Sequence, residues 1–229
     1  MKISKLKITL QETILVDIEF EILSSLALVG QSGSGKSLTL KALLGMLPES
    51  MECELESKSD FELKAGKTLA FVPQNPFTAL SPLTKIKKQF FIPQEKIEAL
   101  FVQVGLDVGL LERFPPELSG GQLQRVVIAM ALESQPKLIL LDEPTTALDP
   151  KTTTMILELL KSLQSEFGFK MLFVTHDMFS AKSLCEDICV IKNGKVVESG
   201  NMHEVMSNPH KQYTKTLIDA NFANRNFRT

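Results

Sequence analysis

The sequence predicts an α/β fold: a mainly parallel sheet with an N-terminal antiparallel β layer and an inserted helical subdomain. Three observations predict it. Residues 26–29, 69–72, 137–141, 170–174 and 188–191 are short apolar runs that read as buried strands, and helical patterns fall between them. That alternation is what a parallel sheet with crossover helices requires. Residues 3–10 and 14–22 instead alternate apolar and polar side chains, the pattern of a half-exposed antiparallel layer. From 75 to 116 the texture changes to scattered prolines and amphipathic stretches, which marks an insert with its own small core.

Taken in order, strand 26–29 runs into a glycine-rich stretch at 30–37. A helix pattern then carries Leu38, Leu40, Ala42, Leu43, Met46 and Leu47, and stops before Pro48. Residues 49–67 are acidic, polar and irregular, and predict loops plus a weak strand. Lys85, Lys87 and Lys88 read as a solvated helix face, and 94–104 as an amphipathic helix. Ser119 is placed as the N-cap of a long helix over 120–134. Helices follow at 150–167 and from Asp177. Asn193-Gly194 suits a type I′ turn joining strands 188–191 and 195–198. The tail reads as helical over 203–220 and frayed over 221–229. The organisation predicted is a single domain, 1–229, in which 1–74 and 135–229 form the core with the antiparallel layer and 75–134 the helical subdomain.

Composition narrows the function classes. The chain has 229 residues, Lys+Arg 25 against Asp+Glu 27, and a formal charge of −2, so no basic excess advertises nucleic acid. With 44% apolar and 23% charged residues it is ordinary globular material. No apolar run approaches the roughly 18–20 residues of a membrane-spanning helix, and the start lacks the apolar core of a signal peptide. Cys53, Cys185 and Cys189 form no CxxC pair, and Cys185 and Cys189 read as buried thiols. His203 and His210 read as surface histidines. The expectation is a cytoplasmic protein that meets a membrane only through a partner.

The motifs carry phosphate chemistry. Gly30-Gln31-Ser32-Gly33-Ser34-Gly35-Lys36-Ser37 has P-loop spacing between a strand and a helix. Its glycines let successive N–H groups turn toward phosphate oxygens, and the helix N-terminus adds partial positive charge at the same place. Lys36 reaches the terminal phosphates and the Ser37 hydroxyl suits Mg²⁺. The apolar strand ending Leu141-Asp142-Glu143 delivers one carboxylate for Mg²⁺ and a second, Glu143, able to act as general base toward water.

Leu118-Ser119-Gly120-Gly121-Gln122 resembles the signature motif of the ATP-binding-cassette (ABC) ATPases. Gln74 in Phe71-Val-Pro-Gln-Asn resembles the Q-loop glutamine, Ala147-Leu148-Asp149 the D-loop, and His176 in Thr175-His-Asp the switch histidine. The motifs stand in the family's order over essentially the whole chain. The resemblance implies a RecA-like P-loop NTPase core that binds ATP and Mg²⁺, with Gly30 to Leu38 around the phosphates. It implies Ser37, Gln74 and Asp142 on Mg²⁺, and Glu143, His176 and Gln74 in catalysis. Ser119, Gly120, Gly121 and Gln122 are then a second phosphate nest, too far from Lys36 within one chain to serve the same phosphate. The family's solution is a head-to-tail dimer, homodimeric or of two paralogues.

The tail Asn208-Pro-His-Lys-Gln-Tyr213-Thr is similar to a stretch of the dipeptide, oligopeptide and nickel importer ATPases, as is Gln74-Asn-Pro-Phe-Thr-Ala-Leu-Ser-Pro82. Ending at Thr229 favours the shorter nickel-type members. The implied partners are integral-membrane permease subunits, a second ATPase subunit and, indirectly, an extracytoplasmic binding protein, with no nucleic acid. The implied location is the cytoplasmic face of the inner membrane, as a peripheral subunit. The alternative is a soluble ABC ATPase uncoupled from transport. Two departures matter: residues 9–13 lack the usual adenine-stacking aromatic, leaving Leu10 or Ile14 for that contact, and Lys211 interrupts the tail motif. Phe77, Ala79 and Leu80 are expected to form the partner-docking face, or else to fill the insert's own core.

Overall fold

The computed structural model describes residues 1–223. In chain order the strands are β1 (Lys2–Leu10), β2 (Thr13–Glu21), β3 (Ser25–Val29), β4 (Met51–Lys58), β5 (Leu69–Val72), β6 (Leu138–Asp142), β7 (Lys170–Thr175), β8 (Asp187–Lys192) and β9 (Lys195–Asn201). The α-helices are α1 (Lys36–Leu44), α2 (Gln94–Gln103), α3 (Gly120–Leu132), α4 (Pro150–Phe167), α5 (Met178–Leu184), α6 (Met202–Ser207) and α7 (Gln212–Ala223). The chain divides into two compact units, Met1–Ala65 with everything from Lys170 onward, and Gly66–Phe169.

In the first unit the strand order is β4-β1-β2-β9-β8-β3-β7. β3 pairs in parallel with both β7 and β8, while β1 pairs antiparallel with β2 and β4. β3 and β7 are buried along nearly their whole length, as a strand covered on both faces must be. β1 buries Ile3, Leu6 and Ile8 and leaves the residues between them half-buried or exposed. The β8–β9 hairpin turns at Asn193 and Gly194 with φ of 49° and 72°, the signs a type I′ turn needs.

The second unit pairs β5 with β6 in parallel. Its helical part is less regular than expected: besides α2 and α3 it is a series of 3-10 turns at Pro76–Ala79, Ile86–Gln89, Val108–Glu112 and Pro115–Glu117. Prolines and short spacing allow single turns but not long helices. Ile86, Phe101 and Leu123 are fully buried there, and Phe90 meets Phe101 edge to face at 5.9 Å.

The structure fills in some expectations and corrects others. The weak strand within 49–67 is β4, paired with β1 from Met51 opposite Leu10 to Lys58 opposite Lys2. Its side chains are mostly exposed, so no apolar alternation announced it; Glu54 meets Lys5 and Lys7 across the ladder. Helix α1 ends at Leu44 rather than Leu47, because Gly45 turns left-handed and the Met46 N–H bonds the Lys41 carbonyl. Lys85 and Lys87 are not simply solvated: both ammonium groups converge on Glu112. Hydrogen bonds from Lys87 and then Lys85 hold that carboxyl below its ordinary range. The tail helix is interrupted, α6 giving way to α7 across Asn208, Pro209, His210 and Lys211, and residues 221–223 continue α7. The rest of the expected frayed end, 224–229, lies outside the described residues. Cys185 and Cys189 are buried; burial raises both thiols, that of Cys189 to about 12.

Candidate functional site

The glycine-rich loop links β3 to α1, and backbone geometry dictates its composition. Gly35 holds φ of 106°, and a Cβ there would lie 2.8 Å from Val16 Cγ2. A Cβ on Gly30 would lie 2.4 Å from the Ile191 carbonyl and 2.6 Å from Ser34 Oγ. Only glycine fits either place. Lys36 is buried, and its ammonium donates to the carbonyls of Gly30 at 2.7 Å and Gln31 at 3.0 Å. It therefore spans the mouth of the loop whose amides form the cradle. Ser37 is exposed at the start of α1, and Gln31, Ser32 and Gly33 form the exposed rim; Leu38 is half-buried. The Ser34 hydroxyl is buried with no hydrogen-bond partner among the described residues. A buried orphan hydroxyl inside a cationic, amide-lined loop suits an oxygen-rich anion. In the same unit His176 follows β7 and is exposed, and Asp177 caps α5 by accepting from the Phe179 and Ser180 amides.

The second unit carries the remaining motifs. Asp142 ends β6 and Glu143 follows it, both half-buried. Glu143 holds φ of 44°, a left-handed conformation that costs a non-glycine residue of order 1 kcal/mol or more. The Thr146 hydroxyl donates to its Oε2 at 3.0 Å and the Thr146 amide to its carbonyl at 3.2 Å. Thr146 went unnoticed in the sequence, though a hydroxyl three residues past a carboxylate is a legible signal for a local bond. Gln74 is exposed just beyond β5, ahead of a 3-10 turn capped by Asn75 Oδ1 on the Phe77 amide at 3.0 Å.

Ser119 caps α3 as expected: its Oγ accepts from the Gln122 amide at 3.3 Å while Gln122 Oε1 accepts from the Ser119 amide at 2.8 Å. This reciprocal box engages two groups assigned to the phosphate nest, leaving the first-turn amides of Gly120 and Gly121 as its donors. A cavity of about 520 Å³ opens there, lined in part by Ser119, Gly120, Gly121, Gln122, Asp149 and Thr152. The signature and D-loop residues therefore share one concavity. Asp149 is itself the N-cap of α4, and the Thr152 hydroxyl and amide hold its carboxyl below the ordinary value.

The ABC transporter family model matches residues 16–146 of this chain, more than half of it. The chain belongs to the ABC transporter family. It is 38% identical over 221 residues to the peptidoglycan transport ATP-binding protein YejF of Agrobacterium fabrum, a match covering 85% of this chain and 40% of that protein. It is 35% identical over 221 residues to the oligopeptide transport ATP-binding protein OppD of Bacillus subtilis, covering 85% and 62%. It is 34% identical over 229 residues to the metal-staphylopine import system ATP-binding protein CntD of Staphylococcus aureus, covering 88% and 84%. The chain thus spans less than two thirds of the first two of these relatives. Among solved structures it resembles CbiO1 of Clostridium perfringens, part of the transporter complex CbiONQ, with a TM-score of 0.72 and 26% identity over 89% of this chain and 90% of that one. It also resembles the ATP-binding cassette MJ0796, in a dimeric post-hydrolysis state bound to ADP and phosphate, with a TM-score of 0.68, 29% identity, and coverage of 88% and 98%. No helix among the described residues is long and apolar enough to cross a membrane.

Proposed function

We propose that this chain is the ATP-hydrolysing motor subunit of an ABC importer for small peptides or a metal such as nickel. The observation that carries this reading is the cradle at 30–37: a glycine-enforced loop with buried Lys36 at its mouth and an orphan hydroxyl within it. Relatives named for peptide and metal-staphylopine transport point to the cargo class.

In this reading the loop 30–37 and the Lys36 ammonium bind the phosphates of ATP, with Leu38 behind them. Ser37, Gln74 and Asp142 offer a hydroxyl, an amide oxygen and a carboxylate, the hard oxygen donors Mg²⁺ prefers. Mg²⁺, when bound, supplies positive charge that offsets the phosphate oxygens. Glu143 takes the proton as a water oxygen bonds to the γ-phosphorus and the bond to the ADP oxygen breaks. Thr146 fixes that carboxylate, and His176 and Gln74 are the further catalytic groups of this reading. Gly120 and Gly121 present their amides to the ATP held by a second ATPase subunit, in a head-to-tail homodimer or heterodimer. Residues 75–134 serve as the helical signature subdomain.

The motor works against permease subunits at the cytoplasmic face of the membrane, and an extracytoplasmic binding protein is reached only through them. Leu80 is buried and belongs to the core, so of the expected docking residues Phe77, at 50% exposure, and the exposed Ala79 remain available. Leu83 and Phe91, at 88% and 92% exposure, are further apolar side chains that the same segment offers to the permease. The deciding test is purified protein turning over Mg-ATP, with Glu143→Gln abolishing turnover while retaining nucleotide. A wild-type protein without hydrolysis, alone and with co-expressed permease, would overturn the reading.

A further inference from the structure

Helix α7 makes contacts that phosphate binding as described above does not use. Its residue Tyr213, the chain's single tyrosine, sits beside the phosphate cradle: the Gln31 amide donates to the Tyr213 hydroxyl at 3.2 Å. The Lys192 ammonium lies 4.7 Å from the centre of the same ring, so the ring is pinned by a cation on its face. Two turns further along, Asn221 Oδ1 accepts from the Met178 amide at 3.2 Å and Asn221 Nδ2 donates to the His176 carbonyl at 3.4 Å. Tyr213, Leu217 and Asn221 recur every four residues, so they form one stripe along the helix. Leu217 between them is buried, and its carbonyl takes a second bond from Asn221 Nδ2 at 2.9 Å. The helix start is fixed as well: Glu198, 8% exposed, accepts from the amides of His210 at 2.7 Å and Lys211 at 3.2 Å.

We propose that α7 is a rail that positions the two phosphate-facing loops of its own unit, with Tyr213 holding the cradle at Gln31 and Asn221 holding the switch-histidine loop at His176 and Met178. The proposal rests on the nucleotide reading above for its consequence, but its geometry stands without nucleotide. A helix docked at its start by a buried carboxylate and along its middle by Leu217 is stiff over the roughly 12 Å between the two residues. Gly30 follows β3 and the exposed His176 follows β7, and each loop receives one side-chain anchor from the rail. Tyr213 and Asn221 are positioning residues: they touch backbone atoms of the loops, and the loops meet the phosphates.

The test uses the whole chain, Tyr213→Phe and Asn221→Ala, and Mg-ATP as the ligand. Phenylalanine keeps the ring and the Lys192 contact, so the melting temperature should move by less than about 2 °C. Losing one hydrogen bond corresponds to about a three- to tenfold effect. Tyr213→Phe should therefore speed hydrogen–deuterium exchange over 30–37 in nucleotide-free protein by about that factor. It should raise KM and Kd for Mg-ATP similarly while changing kcat less than about twofold. Asn221→Ala should speed exchange over 175–180 and leave 30–37 unchanged. Wild-type exchange in either loop, or a general rise in exchange with a falling melting temperature, would overturn the assignment. If wild-type protein fails to bind Mg-ATP, the nucleotide reading falls, and the nucleotide-free exchange still decides the rail.

Discussion

Gly35 and Glu143 are both left-handed, for opposite reasons. At Gly35 the loop needs the conformation and the absent Cβ makes it free of strain; Gly35→Ala adds strain of about 1–3 kcal/mol and a 2.8 Å contact with Val16. Weaker Mg-ATP binding with a lowered melting temperature is expected, and a titration beside a thermal melt checks it. At Glu143 a carboxylate accepts the strained conformation, and Thr146 secures it by two bonds. Glu143→Gln should retain nucleotide and lose about 10²–10⁴ in kcat, since an amide cannot take the proton; steady-state hydrolysis measures it. Lys36→Ala removes the one buried cation of the cradle, and equilibrium titration should find Mg-ATP affinity severely reduced. The residues of the cradle were legible because glycine spacing encodes backbone shape directly. Thr146 was only half legible, and Tyr213 only as a member of the tail motif: its bond to Gln31 spans 182 residues, and no local pattern announces a partner so distant.

Elements were legible wherever burial has a period. β3 and β7, buried on both faces, stand out as apolar runs, and Ser119 and Gln122 spell the cap of α3. β4 was faint because both its faces are mostly wet, and the 3-10 turns of 75–118 have no period long enough to read. Glu198 supplies an element-scale prediction. Burial alone would raise its carboxyl, but the amides of His210 and Lys211, donating at 2.7 Å and 3.2 Å, hold it below its ordinary value of 4.5. A folded value below the unfolded one stabilises fully above about pH 4.5 and is lost as pH falls through the folded value. Acid should therefore loosen the start of α7 ahead of the sheet. Exchange of the 208–214 amides, followed from pH 6 to pH 3, checks this, and Glu198→Gln should flatten the dependence.

At the scale of the molecule, the α/β class and the order of motifs were legible, while the surface was not. Periodicity says that Phe77 and Leu80 are apolar, but only packing decides that one is half-exposed and the other 6% exposed. A docking test with Leu80→Asp would bury an unpaired charge and unfold the insert. Phe77→Ser with Leu83→Ser and Phe91→Ser acts on exposed side chains only. The triple variant should melt within a few degrees of wild type and lose co-purification with the proposed permease subunits. Unchanged co-purification would remove this face as the docking site.

The exposed acids of β4 bear on solubility. That strand ends the order of its sheet and presents Glu52, Glu54 and Glu56 to water along an edge whose outer backbone groups have no strand partner among the described residues. An open edge is a template on which another molecule can add a strand, and a file of like charges discourages an identical edge from settling there. The same carboxylates that hid β4 from pattern recognition thus guard the protein against polymerising. Replacing all three by Thr, which favours extended backbone and carries no charge, should leave the monomer folded yet prone to ordered aggregates at concentrations the wild type tolerates.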